Sequence, residues 1–411
     1  MPREKLAVAS IEFGRKREFV AVVFLLAMTI SHIALGLKLA PLLRLGYQDF
    51  TIFYTAGQMV RSGQTAALYD LPAQYRMQQQ FVPDVRIRQG PLPYNHPPFE
   101  ALLFVPFTFV GYVPAYVLWT VINLVLLVAA LALLRKHFAE IRTLSPVFLG
   151  LAAAGFFPIA IALFQGQDSI LLLLILASSL VALERERDTV AGAVLAAGLF
   201  KFQLIIPLLL ILVIRRWRLL CGFVPVALAL AGGSVAMLGW RGTADYVRFV
   251  LYLEKSGAGG AIVAADMPNL RGLIACLPGI NSGSSFAMVL TLVSSMVVFL
   301  AAFWRVRQRR DSVAFSFGLA TVATILVSYH LLPYDLSLLL PVALLLFTAS
   351  GQTEWGDARA DLSPLLLLFL TPLYVLLWFH LNRLGCFALV LLWLFWRLTR
   401  GKTWDTRATV T

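Results

Sequence analysis

Apolar runs of roughly twenty residues, each closed by a short basic or polar break, recur along almost the whole chain. That length is what an α-helix needs to cross a hydrocarbon core about 30 Å thick. The runs predict spanning helices near 19–39, 113–134, 145–164, 169–183, 189–201, 203–214, 219–239, 284–304, 312–329, 335–349, 362–380 and 384–396. Runs 189–201 and 203–214 are short for a full crossing, which tilt or a half-buried polar turn accommodates. Lys and Arg gather at 3–17, 135–142, 185–187, 215–218, 305–310, 359 and 397–402. Placing these clusters on the cytoplasmic side requires an even number of crossings between successive ones. The arithmetic closes in pairs from 145 onward. Parity leaves room for one crossing between 97 and 134, so Phe99–Val110, bracketed by Pro97-Pro98 and Pro114, reads as a helix lying in the outer interface.

The pattern therefore predicts an all-α polytopic membrane protein, a bundle of about twelve transmembrane helices with both termini inside. The basic N-terminus and the first apolar run read as a retained anchor, because no small-residue cleavage site follows. Residues 1–411 form one domain with two long external segments, 40–112 and 240–283, and a disordered tail over 403–411. In the first segment, the amphipathic stretch from Gln74 to Phe81 predicts a short juxtamembrane helix. In the second, a small-residue run around Gly257 precedes Asp266-Met267-Pro268-Asn269-Leu270-Arg271.

Composition sharpens this picture and removes some alternatives. Of 411 residues, 60% are hydrophobic and 13% charged, against about 25% charged in soluble domains. The formal net charge of +13 sits in clusters between apolar runs, the membrane-topology distribution, so no nucleic-acid partner is expected. Cys221, Cys276 and Cys386 have no metal-ligand spacing. There is no His-x-x-x-His, no Asp-x-Asp and no phosphate-cradling Gly-rich loop. These patterns predict no metal, no cofactor and no soluble nucleotide-sugar donor.

Under this topology the polar residues at apolar boundaries all fall on the outer side. They are Asp49, His96 beside Tyr94, the Gln165-Gly166-Gln167-Asp168 turn, Lys201 with Gln203, Asn269 with Arg271, His330 with Asp335, and His380 with Asn382 and Arg383. Ionisable groups at membrane depth are costly and mark function by default, so their convergence predicts one polar cavity opening outward. Asp49 has the chemistry to take a proton from an attacking hydroxyl, or to cap a helix over Phe50–Arg61. Lys201 is either a snorkelling lysine or a cation for a phosphate, and Arg271 carries the same two readings. His330 is a packing residue or a phosphate ligand. His96 is pinned by Pro97-Pro98 as a placed side chain or a simple turn. Gln165 and Gln167 suit sugar hydroxyls, and Asp168 suits the same task or a cap on the helix starting at Ser169.

The stretch Gly46-Tyr47-Gln48-Asp49-Phe50, Tyr54, Ala56-Gly57, Gly63 and Leu68-Tyr69-Asp70, followed by Tyr94-Asn95-His96-Pro97-Pro98-Phe99, resembles integral-membrane glycosyltransferases of the GT-C superfamily. It is most similar to the polyprenyl-phosphate-mannose-dependent mannosyltransferases of the phosphatidylinositol mannoside type. Gln165-Gly166-Gln167, Lys201-Phe202-Gln203 and the Asn269 loop look like later motifs of that family, and the likeness runs from about residue 45 to 340. It implies a GT-C-type helical bundle in the inner (plasma) membrane with its active site on the periplasmic side. It also implies a polyprenyl-phosphate-linked sugar donor, a lipid or glycan acceptor, and membrane lipids as surroundings. By resemblance Asp49 is the catalytic base, and Lys201 and His330 lie near the donor phosphate, with Arg271 placed to assist. Tyr94, His96, Gln165, Gln167, Asp168, Asn269 and Asp335 are the candidates for holding sugar or acceptor. The family often carries Asn where this chain has Asp168. A transporter or flippase is the rival reading, against which stand the missing internal repeat and the one-sided polar residues.

Overall fold

A computed structural model describes residues 3–82, 92–256, 263–308, 312–349 and 363–400; the tail expected to be disordered, and the small-residue run at 257–262, lie outside the described residues. Among the described residues the chain is helical throughout, with no strand. Four helices are long and apolar enough to cross a membrane: Glu18–Arg61 taken with its continuation, Tyr112–His137, Leu219–Ser256 and Ser285–Gln308. Between 17% and 28% of their apolar windows is buried inside the protein. A helix that is apolar all round and mostly exposed needs lipid as its solvent.

Three further pairs pass the same test only together, because each bends by more than 40°: Pro146–Ala154 with Phe157–Gln165, Asp188–Ala196 with Leu199–Val213, and Ser363–Phe369 with Thr371–His380. Counting each pair as one crossing gives up to seven. The two short runs expected as separate spans, 189–201 and 203–214, are thus the limbs of one bent pair with a 64° break. Proline explains two of the bends. Pro158 and Pro372 sit in the first turn of the second limbs, where the ring's missing N–H is tolerated but an unbroken helix is not.

Close backbone approach sets the packing of the second pair. The helix Asp188–Ala196 crosses Leu219–Ser256 at Gly192 and Gly222, where a Cβ on Gly222 would stand 1.8 Å from the Thr189 carbonyl oxygen. Small residues permit such crossings where lipid offers no hydrophobic drive between helices. The helix Leu219–Ser256 kinks at Gly239, with φ of 70°, and then runs on, so the segment expected as a loop from 240 begins as helix.

The 40–112 segment folds into short helices packed on the start of the helix Tyr112–His137. We label the helices α1 (Arg3–Leu39), α2 (Phe50–Arg61), α3 (Leu71–Phe81), α4 (Pro98–Phe104) and α5 (Tyr112–His137). α3 is the expected amphipathic helix, started by Asp70, whose Oδ1 accepts from the Ala73 N–H at 2.7 Å. α4, continued by a 3₁₀ turn to Phe109, is the helix expected over Phe99–Val110. Phe50, Phe53, Phe104, Tyr112 and Trp119 make an aromatic core beneath it, with Phe53 stacked on Phe104 at 4.5 Å between ring centroids. Buried glutamines pin the connecting chain: Gln74 accepts from the Tyr94 N–H and donates to the Leu68 carbonyl.

Candidate active site

Asp49 precedes α2 in the N-cap position, yet its side chain makes no cap hydrogen bond. Its Oδ2 instead accepts from Gln167 Nε2 at 2.7 Å, and its own N–H donates to Gln165 Oε1 at 3.0 Å. Two amides from the turn 165–168 therefore hold Asp49, one at its carboxylate and one at its backbone N–H. The turn can approach so closely because Gly166 has φ of 64° and a Cβ there would lie 2.8 Å from Phe50 Cβ; only glycine adopts that backbone without strain. Trp119 Nε1 donates to the Gly166 carbonyl, and the Tyr116 hydroxyl to the Phe164 carbonyl just before the turn.

Asp168 differs from its expected part as a helix cap. It occupies the N-cap position of the helix Ser169–Glu184 without a cap hydrogen bond. Its Oδ1 lies 2.8 Å from Lys201 Nζ. The ammonium also donates to Ser169 Oγ at 2.8 Å and to Asp335 Oδ1 at 2.5 Å, and it rests 4.9 Å from the centre of the Tyr334 ring. Lys201 is 3% exposed and stands at the break of the bent pair. It is neither snorkelling nor free: it is a buried counterion between two carboxylates. Asp335 is locked in turn by the Leu332 N–H at 3.0 Å.

His96 sits on the other side of Asp168. Its Nδ1 is 3.8 Å from Asp168 Oδ2 and 2.7 Å from Oε2 of Glu100. Tyr94 stacks beside the imidazole at 5.8 Å, Phe53 meets it edge-on at 5.0 Å, and the Tyr69 hydroxyl donates to its carbonyl. Burial pushes the His96 imidazole down to about 4, so the ring is neutral at pH 7. Tyr94 itself is fully buried and spends its hydroxyl on the Pro97 carbonyl at 2.9 Å. It is a strut behind His96 and has no exposed group to offer a sugar.

Asn269 and Arg271 have local duties. Asn269 Oδ1 accepts from the Gly272 N–H at 2.9 Å and its Nδ2 donates to the Ser328 carbonyl at 2.7 Å. Both ends of the amide are used in starting the helix Leu270–Ala275 and tying it to the 328–335 segment. Arg271 pairs with Glu254, donates to the Tyr329 carbonyl and packs over the Tyr329 ring at 4.1 Å. His330, in the next position, has Asp335, Arg271, Glu254 and His96 as electrostatic neighbours, and burial pushes its imidazole down to about 4. An apolar cleft of about 430 Å³ opens along the helix Leu270–Ala275, lined by Leu270, Ile274, Leu277, Leu290 and Leu389 among others.

The structure thus gathers Asp49, His96, Gln165, Gln167, Asp168, Lys201 and Asp335 into one cluster, with His330 and Arg271 at its edge. It adds Glu100, 2% exposed, which the sequence reading passed over inside an apolar helix. The signal was present as His96-Pro97-Pro98-Phe99-Glu100, a histidine and a carboxylate one helical turn apart. Glu100, Asp168 and Asp335 are all buried, whereas Asp49 is half-buried as a residue. Burial pushes the Asp49 carboxyl up from the usual carboxylate range.

The profile of glycosyltransferase family 87 matches residues 94–329, more than half of the chain. The chain belongs to glycosyltransferase family 87. The matched stretch contains His96, Glu100, Asp168, Lys201, Asn269 and Arg271, while Asp49, His330 and Asp335 fall outside it. A polyprenol-phosphate-mannose-dependent α-(1-2)-phosphatidylinositol pentamannoside mannosyltransferase of Mycobacterium tuberculosis is 27% identical over 228 residues. That alignment covers 54% of this chain and 51% of the relative, so the chain spans about half the length of the protein it matches. No solved structure matches.

Proposed function

We propose that this family 87 member transfers a hexose, mannose in the first instance, from a polyprenyl-phosphate donor to a hydroxyl of a lipid or glycan acceptor. The reaction takes place on the extracytoplasmic side of the inner membrane, at the outer end of a GT-C-type helical bundle in which several spans are broken or short. The observation that carries this reading is Asp49: a carboxylate oriented by Gln167, on a half-buried residue whose backbone is held by Gln165, beside a buried ionic cluster in a membrane protein of a glycosyltransferase family.

The acceptor oxygen attacks the anomeric carbon, and its proton passes to Asp49. The new C–O bond forms as the bond from the anomeric carbon to the phosphate oxygen breaks. The electron pair leaves with polyprenyl phosphate, and the anomeric centre inverts. A phosphate monoester leaves without acid help when fixed positive charge meets it. Arg271 is the cation placed for that task, since it sits on the helix that lines the apolar cleft, where an isoprenoid chain fits by its chemistry. Its partner Glu254 holds it in position before the donor arrives. His330, kept neutral, donates one hydrogen bond to the phosphate. Lys201 acts at one remove, by holding Asp168 and Asp335 and so fixing the wall on which Gln167 stands.

Asp49→Asn tests the reading. The substitution keeps shape and the bond from Gln167 while removing the proton acceptor, so transfer from polyprenyl-phosphate mannose in proteoliposomes should fall by about 10²–10⁴-fold with the unfolding temperature unchanged. Turnover within a few-fold of wild type would reject Asp49 as the base.

A further inference from the structure

The ionic cluster is out of balance. Asp49, Glu100, Asp168 and Asp335 surround a single ammonium, Lys201, and that ammonium is committed to Asp168 and Asp335. On the other side of Asp168, both carboxylate oxygens of Glu100 and the Nδ1 of His96 are buried without a hydrogen bond of sound geometry. Glu100 is 2% exposed. A charged carboxylate at that depth costs several kcal/mol, so Glu100 either takes a proton and shares it with the neighbouring Asp168 carboxyl or shares a cation with Asp168 and His96.

We propose that His96, Glu100 and Asp168 hold a divalent cation. One ligand atom from each residue lies within 4.8 Å of the other two. An octahedral ion with bonds of about 2.1 Å places neighbouring ligands about 3 Å apart and opposite ones about 4.2 Å, so a small contraction closes the shell. Two carboxylates and one imidazole form a hard set with a single borderline nitrogen, which suits Mn²⁺, with Mg²⁺ as the alternative. Three protein ligands leave further positions open to water or phosphate oxygen.

The ligands are prepared for this. Pro97 and Pro98 fix the chain between His96 and Glu100, and Tyr94 and Phe53 clamp the imidazole from two sides. Asp168 is positioned by the Gly166 turn, with Lys201 on the oxygen opposite the one that faces His96. A dication here neutralises Glu100 and Asp168 together. Within the transferase reading it also brings to the donor phosphate the positive charge that Lys201 is too occupied to give. The site itself rests on the geometry and stands apart from that use.

The experiment uses the purified full-length chain in detergent, stripped with EDTA and titrated with MnCl₂ without any sugar donor. Free Mn²⁺ is read by electron paramagnetic resonance and stability by thermal unfolding. The expected result is one Mn²⁺ bound per chain, with a rise in unfolding temperature. Affinity should fall by at least about tenfold in Glu100→Gln and in His96→Asn, and stay within a few-fold in Asp49→Asn. Failure of the folded wild-type protein to bind Mn²⁺ or Mg²⁺ at millimolar concentration overturns the proposal. So does binding that neither ligand variant weakens. Should Glu100→Gln not fold, the wild-type titration and His96→Asn decide alone. If instead Glu100 merely carries a proton shared with Asp168, Glu100→Gln is at least as stable as wild type and the wild type binds no ion. An absent ion together with a dead Asp49→Asn variant would leave the transferase reading intact.

Discussion

Replacing Lys201 by methionine isolates the counterion on which the cluster depends. Methionine matches the length and apolar stem of lysine, so packing changes little and the loss is that of one ammonium. Lys201 is 3% exposed and donates at 2.5–2.8 Å to Asp335 and Ser169, with Asp168 at 2.8 Å. Its removal leaves two carboxylates, each no more than 2% exposed, side by side without a partner. Breaking a buried ion pair from one side costs about 3–5 kcal/mol, and the repulsion between Asp168 and Asp335 places this variant toward the upper end. Unfolding in detergent by heat or by added SDS, followed by tryptophan fluorescence, measures the loss. A second substitution supplies the control: Asp335→Asn in the Lys201→Met background removes the charge that lysine had balanced. The double variant should recover about 1–3 kcal/mol relative to Lys201→Met alone, a coupling of the size expected for contacting groups. A Lys201→Met protein within about 1 kcal/mol of wild type, or a double variant with additive losses, would refute the view of Lys201 as a structural counterion.

Three further outcomes follow from named contacts. Gln167→Leu removes the amide that holds Asp49 Oδ2; a hydrogen bond to a charged group is worth about 1.5–3 kcal/mol, so kcat for sugar transfer should drop by roughly 10–100-fold with KM for donor little moved, and an unchanged kcat in steady-state assays would exclude the positioning role. Arg271→Ala should weaken binding of polyprenyl phosphate by about tenfold or more, while acceptor binding holds; equal weakening of both, measured by native mass spectrometry or fluorescence quenching, would remove Arg271 from the phosphate site. Gly222→Val forces a side chain into the Thr189 carbonyl, 1.8 Å from the ideal Cβ, and should lower stability by at least about 1–3 kcal/mol; thermal unfolding within experimental error of wild type would mean the two helices part easily there.

The helical class and the membrane setting were legible because an apolar run has one meaning in a chain with so few charges. The short helices of the 40–112 segment were legible too: α3 and α4 fall where amphipathic and proline signals put them. The crossings were harder to count. A run broken by Pro158 or Gly198 looks like a span in sequence, and only packing decides whether the chain turns back or continues at 64° or 65°. At the site, Asp49, Gln165 and Gln167 converged as expected. Lys201 and Arg271 read as free cations because their partners are remote in sequence: Asp335 lies 134 positions from Lys201, and Glu254 lies 17 from Arg271. Asp168 read as a cap because its position is that of a cap, while its charge answers to Lys201. Glu100 was hidden because one carboxylate in an apolar helix does not disturb the pattern that predicts the helix.

The separation between Lys201 and Asp335 also sets an order of assembly. The ribosome makes the lysine about a third of the chain before its second counterion, so for much of synthesis the ammonium has only Asp168 beside it. Entry of the 333–339 turn is therefore the event that completes the ion cluster, because only then does the lysine gain its second carboxylate.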